Sequence, residues 1–311
     1  MDVLCVGQLA ADILVRPVDR VDYGVDTKRV EGIDIKNGGD CLNVALGLAK
    51  LGGSVGFAGL VGEDQLGAYL RHVITDAGID ARGLASTREA RTCSCLVLIN
   101  SQGERTFFYC GGANDLFSGA ELAPSLLEEA SIVHVGGTYL LPRFDGEGAA
   151  RLFAAARAKG KLTSMDVTWD TTGRWLSVIE PCLPHLSLFM PSIREAEKIA
   201  GTNEPPKIAA FLQSRGVGTV VVKLGEQGCY VKQQKEAGFT VPAFPTQVVD
   251  TTGAGDSFVA GFLTGILRKW DLKKSASFAC AVAALNIRKV GATAGIPTFD
   301  EARNFMESNG G

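Results

Sequence analysis

The chain is 311 residues long, 46% hydrophobic and 21% charged, with a formal net charge of -3. That composition suits one large α/β domain or two modest ones and speaks against extensive disorder. It also excludes a general nucleic-acid surface, which needs clustered Lys and Arg, and no apolar run reaches the roughly 18 uncharged residues of a membrane span. The opening MDVLCVGQLAAD has no basic stretch ahead of its apolar residues, so a cytoplasmic protein is expected, with neither nucleic acid nor membrane as partner.

VLCVG, residues 3–7, reads as the first strand, and DCLNVALGLAKLGG as a helix with Asp40 as cap and glycine as stop. Two segments, about 13–37 and about 91–112, carry strand-like residues and turns such as NSQG with no helix between them. They predict a small β-sheet lid beside the main sheet, or else an ordinary edge extension. From about residue 131 short strands alternate with helices: SIVHVG, DGEGAARLFAAARAKG, KLTSMDV, LSLFMP, REAEKIAG and TVVVKLG. This rhythm predicts an α/β fold, a doubly wound and mainly parallel sheet with helices on both faces. No repeat or linker interrupts it, so residues 1–311 are expected to form a single domain. The eight cysteines and three histidines assemble neither a CxxC pair nor a zinc pattern, and the cysteines are expected to be buried thiols.

In GAGDSFVAGFLTGIL, Phe258, Phe262 and Ile266 recur at helical spacing, which places Gly253, Ala254 and Gly255 at the first turn. Free N–H groups and the helix dipole there make an anion site, and glycine lets a phosphoryl group approach the backbone. Asp256 then stands where it can take a proton from a hydroxyl attacking phosphorus. Alone, the stretch reads equally as a turn and a helix cap. There is no GxxxxGK[ST] and no GxGxxG after the first strand, which excludes a P-loop and leaves a dinucleotide site without support.

DTTGAGDSFVAGFL, residues 250–263, resembles the C-terminal signature of the ribokinase-like (PfkB) carbohydrate kinases. NGGDCLNVALGLAKLGGSVGFAGLVGEDQLG, residues 37–67, resembles the N-terminal one, and the likeness runs along the whole chain. The resemblance implies a β-lid fold, ATP as donor with Mg2+, and a sugar, sugar acid or nucleoside as acceptor. It implies Asp256 as catalytic base and Gly253, Ala254 and Gly255 as anion hole. Asp12 matches an acid that clamps substrate hydroxyls, although it also reads as a cap or turn residue, and Gly38, Gly39 and Asn43 complete the substrate pocket.

Further roles come with the same resemblance. In PSIREAEKIAG, Glu195 matches a residue that holds Mg2+ through water, with Ser192 in place of an asparagine on the ATP side; Glu195 and Glu197 also read as first-turn charges. Lys223, Gly225 and Gly228 match the strand and turn along the ATP phosphates, with a solvated Lys223 as the plain alternative. Cys280 stands where many relatives have asparagine beside adenine. Asp250, Thr252 and Gly291 lie near the position of a monovalent cation, K+. Asp166 and Arg174 only loosely match a sugar-kinase element and are set aside. Phe107, Phe108 and Tyr109 offer a shelf for a nucleoside base, or are strand core. The open lid edges, carrying Leu96, Leu98, Phe107 and Tyr109, are expected to pair in a homodimer.

Overall fold

The buried run Val3–Gly7 has no polar face, so β1 (Val3–Gly7) takes the interior place that such a run requires in a sheet covered on both sides. In the computed structural model, which describes residues 1–309, the chain next crosses to a second sheet through β2 (Ala10–Arg16) and β3 (Gly32–Gly38). It returns by α1 (Asp40–Lys50), β4 (Val55–Gly62), α2 (Gln65–Asp76) and β5 (Asp80–Thr87), then goes back through β6 (Ser94–Ile99) and β7 (Arg105–Cys110). Past α3 (Pro124–Glu129) the alternation read from the sequence follows: β8 (Ile132–Thr138), α4 (Glu147–Ala158), β9 (Leu162–Val167), α5 (Leu176–Ile179), β10 (Leu188–Phe189), α6 (Ile193–Ala200), α7 (Pro205–Gln213) and β11 (Thr219–Lys223). The hairpin β12 (Cys229–Gln233) and β13 (Phe239–Val241) precedes α8 (Ala254–Leu267), α9 (Leu272–Asn286) and α10 (Phe299–Asn309).

The main sheet has nine strands in the order β13-β12-β11-β10-β9-β8-β1-β4-β5, parallel except for the β12 and β13 pairings. One core, around Leu42, Phe262 and Phe278, joins it to α1, α2, α8, α9 and α10; the other, around Phe153, Ile199 and Leu212, joins it to α3, α4, α6 and α7. The strand order runs outward in both directions from β1 and β8. That is the switch point of a doubly wound sheet, where the carboxyl ends of neighbouring strands open a crevice.

Three expectations are corrected. The cap of α1 is Gly39, at φ 92°, and Asp40 is the first helical residue with no cap bond from its side chain. A Cβ on Gly39 would lie 2.6 Å from Leu9 Cα, so close approach to the β1–β2 crossing decides the cap. In the second sheet, ordered β3-β2-β6-β7, β6 is an interior strand, so Leu96 and Leu98 are not on an edge. Phe107 and Tyr109 do lie on the edge strand β7, but the register sets them on the opposite face from Leu96 and Leu98. Seven cysteines are buried, but Cys110, last in an edge strand, is exposed.

Candidate active site

The crevice gathers its polar groups from strand ends and helix starts. β9 carries Asp166 as its last residue but one and β11 ends on Lys223, α6 begins after Ser192, and α1 and α8 bring Asp40 and Asp256. Asp40, Asp166, Ser192, Glu195, Lys223, Gly225, Gly255 and Asp256 line one cleft of about 350 Å³.

Asp256 sits in the first turn of α8 and is 9% exposed. Asn43 Nδ2 donates to its Oδ2 at 2.9 Å, and burial nevertheless pushes the carboxyl up to about 7. Asn43 is itself held, because Asn37 Nδ2 lies 3.3 Å from Asn43 Oδ1 and 3.3 Å from Thr293 Oγ1. Asn37, from β3, was not singled out in the sequence, since nothing local marks an asparagine that acts through another.

Lys223 Nζ donates to Asp166 Oδ2 at 2.5 Å, and the two side chains are only 13% and 5% exposed. Burial lowers its pKa, but Asp166 and Glu195 outweigh that, so Lys223 stays cationic, not solvated as a strand-end lysine would be. Burial raises Asp166 to about 7 against the pull of Lys223. The Asp40 carboxyl is raised well above its ordinary value by burial and by Asp256 and Glu195. Both Asp40 and Asp166 are site residues that the sequence did not assign: a helix cap and a loose motif match were the local signals, and only the fold turns them into the cleft.

Of the glycine-rich turn, Ala254 N–H donates to Thr251 O at 3.2 Å, so of the expected anion hole the N–H groups without an intrahelical partner are those that follow, on Gly255 and Asp256. A Cβ on Gly255 would meet Lys223 Nζ at 3.2 Å, so the ammonium lies beside Gly255. Gly253, at φ 72°, is different: its Cβ would stand 2.1 Å from Ala292 O. We therefore expect Gly253→Ala to lower the melting temperature, and Gly255→Ala to leave it nearly unchanged while lowering catalytic activity. Thermal melting beside steady-state kinetics checks this, and the reverse order would show the roles exchanged.

Ser192 caps α6 by accepting from Glu195 N–H, while Glu195 Oε2 accepts from Ser192 N–H at 2.7 Å, a complete capping box. Gly225 lines the cleft, whereas Gly228 lies behind it, where a Cβ would be 2.0 Å from Val241 O. Cys280 packs in the α9 core with its thiol against Cys229. Val248 and Val249, ahead of the Gly253 turn in the chain, and Val290 are about half exposed.

Asp12 lies on β2 across from Cys95, which is across from Tyr109, so all three share one face of the lid. Burial raises its carboxyl to about 6. A Cβ on Gly38 would fall 2.2 Å from Asp12 Oδ2, so glycine there makes room for the carboxylate. Asp250 sits at the far side of the Gly253 turn, where Arg105 Nη2 and Thr252 N–H donate to Oδ1 at 2.5 and 2.8 Å, and Gly291 N–H to Oδ2 at 2.8 Å. Three N–H donors therefore surround this carboxylate, one of them a guanidinium that brings a positive charge to it.

The sequence profile of the pfkB family carbohydrate kinases matches residues 1–299. Fructokinase-2 of Solanum lycopersicum is 31% identical over 299 residues, covering 91% of each chain. The 2-dehydro-3-deoxygluconokinase of Bacillus subtilis (strain 168) is 29% identical, covering 86% of this chain and 85% of its own. Among solved structures, Arabidopsis thaliana ribokinase complexed with ribose and ATP superposes at a TM-score of 0.85 with 25% identity, over 98% of both chains. Fructokinase with bound ATP from Xylella fastidiosa gives a TM-score of 0.85 with 24% identity, over 100% of this chain and 99% of that one.

Proposed function

From its membership of the pfkB family of carbohydrate kinases, to which the chain belongs, we propose that it transfers the γ-phosphoryl group of ATP to a hydroxymethyl oxygen of a sugar or sugar acid. The observation that carries this reading is a buried carboxylate, Asp256, held by Asn43 at the start of α8 in one cleft with the Lys223 ammonium. Asp256 accepts the proton of the attacking hydroxyl. A loose transition state needs little base strength, so positioning matters more than basicity. Lys223 and the N–H groups of Gly255 and Asp256 bind the transferred phosphoryl oxygens, and Ser192 and Gly225 lie along the ATP side. Asp12, with Gly38, Gly39 and Asn43 around it, holds sugar hydroxyls.

Asp40, Asp166 and Glu195 bring carboxylate oxygens to the cleft, but among the described residues no three acidic, His or Cys side chains gather to hold an ion directly, so Glu195 would hold Mg2+ through water. When bound, Mg2+ supplies charge neutralisation to the ATP phosphates. ADP release over a panel of sugars, sugar acids and nucleosides tests the reading; no turnover with any hydroxymethyl sugar would remove it. Asp12→Ala should cost about 1.5 to 3 kcal/mol per lost charged hydrogen bond to the sugar, with ATP affinity hardly changed. A nucleoside acceptor is favoured by Phe107 and Tyr109, 55% and 40% exposed on the same lid face as Asp12. Binding that survives Asp12→Ala and fails in Phe107→Ala would establish that acceptor instead.

A homodimer forms through the outer face of the lid. Ile35, Ile13, Leu96 and Phe108 are register neighbours across all four strands, and Ile35, Leu96 and Phe108 are 49%, 38% and 55% exposed. A continuous apolar row of this kind calls for a second copy to cover it. Sedimentation at micromolar concentration should give a dimer that Phe108→Glu dissociates, and a wild-type monomer would refute it.

A further inference from the structure

Arg105 is the first residue of the lid strand β7, and its partner Asp250 lies 145 residues away, in the segment that leads into α8. The pair is not a surface contact, since the side chains are 23% and 4% exposed. Burial opposes ionisation of Asp250, but the Gly291 and Thr252 N–H groups and Arg105 outweigh it and hold the carboxyl below its ordinary value. The same carboxylate joins two loops, one leading to Gly253 and one containing Gly291. Those loops meet again where Asn286 Nδ2 donates to Ala292 O at 2.8 Å and lies 3.3 Å from Gly253 O. Gly253 packs directly on Ala292, so a shift of Asp250 is passed to the first turn of α8 without slack.

We propose that Arg105 is a positioning residue for phosphoryl transfer: its guanidinium, carried by the lid, supplies the positive charge at Asp250 and locks the loop that aims the Gly255 and Asp256 N–H groups. A free monovalent cation is then not required at this carboxylate. The lid is tied to the phosphoryl site by charge as well as by Asn37, so the anion hole is set when the lid is seated. This inference rests on the phosphoryl-transfer reading above.

Arg105→Ala should lower kcat by about 10- to 100-fold, the scale of a small misplacement of reacting groups, with a smaller change in the KM for sugar. Guanidinium chloride at millimolar concentration should restore part of that rate, and Arg105→Lys should retain part of it, because lysine keeps the charge but not the planar fork. The wild type should turn over equally fast in potassium and in tetramethylammonium chloride. An undiminished kcat in Arg105→Ala overturns the proposal, as does a wild type that needs potassium. So does a loss that neither guanidinium nor lysine relieves, since that marks a packing defect. Hydrogen exchange gives a readout without turnover: Thr252 and Gly291 amides should exchange faster in Arg105→Ala while β8 amides do not change, and unchanged exchange at both amides overturns the proposal. A wild type that forms ADP with no acceptor fails the kinase reading, and the exchange result then still decides the role of Arg105.

Discussion

Asp256→Asn should lower kcat by about 10²- to 10⁴-fold while leaving ATP binding intact, the usual worth of a positioned base. The pH profile of the wild type should carry the same residue's signature. Its carboxyl is pushed up to about 7, first by burial, so the proton-accepting form is lost below that value and kcat/KM should rise with pH through about 7. Stability should move the other way. A folded-state pKa above the unfolded one means that the folded protein holds a proton that the unfolded chain has lost between about pH 4 and 7, so this group's contribution falls as pH rises across that window. Asparagine never ionises. The variant should therefore melt above the wild type at pH 8, with the gap narrowing toward pH 4. A variant that keeps more than half its turnover would make Asp256 a cap residue, and equal melting at pH 8 would mean that water reaches the carboxylate.

Lys223→Met should remove activity and much of the stability together. Lys223 and Arg194 are cations lining the cleft with Asp40, Asp166, Glu195 and Asp256, and Lys223 pairs with Asp166 where neither side chain is more than 13% exposed. Removing one partner of a buried pair leaves an uncompensated charge and costs about 3 to 5 kcal/mol. The loss should be greatest at pH 8 and smaller at pH 5, where Asp166, pushed up to about 7, takes a proton instead. Asp166→Asn in the Lys223→Met background should recover part of the melting temperature. Denaturant unfolding at both pH values checks this, and a single variant as stable as the wild type would mean a solvated pair.

How much of the site was legible differs from residue to residue. Asp256 and Asp12 stand out locally, one behind a glycine-rich turn at a helix start, one just past a strand. Asp166 and Asp40 do not, because a carboxylate at a strand end or a helix start looks the same whether it faces solvent or a shared cleft. Lys223 was read with solvation as the plain alternative, for the same reason. Glu195 serves as a capping residue and lines the cleft as well, so both of its readings are compatible with one geometry.

The sequence by itself determined the doubly wound sheet, the lid strands and the glycine-rich start of α8, because hydrophobic period, glycine and proximity to a helix terminus are local physical signals. Only the tertiary structure decided that β6 lies inside the lid sheet, that Gly253 serves packing and Gly255 serves the cleft, that Lys223 is buried against Asp166, and that Arg105 crosses from the lid to Asp250. Each of these depends on which distant segment arrives opposite. Charge and close approach act through space, and the separation along the chain, 57 residues for Lys223 and Asp166 and 145 for Arg105 and Asp250, carries no trace of them.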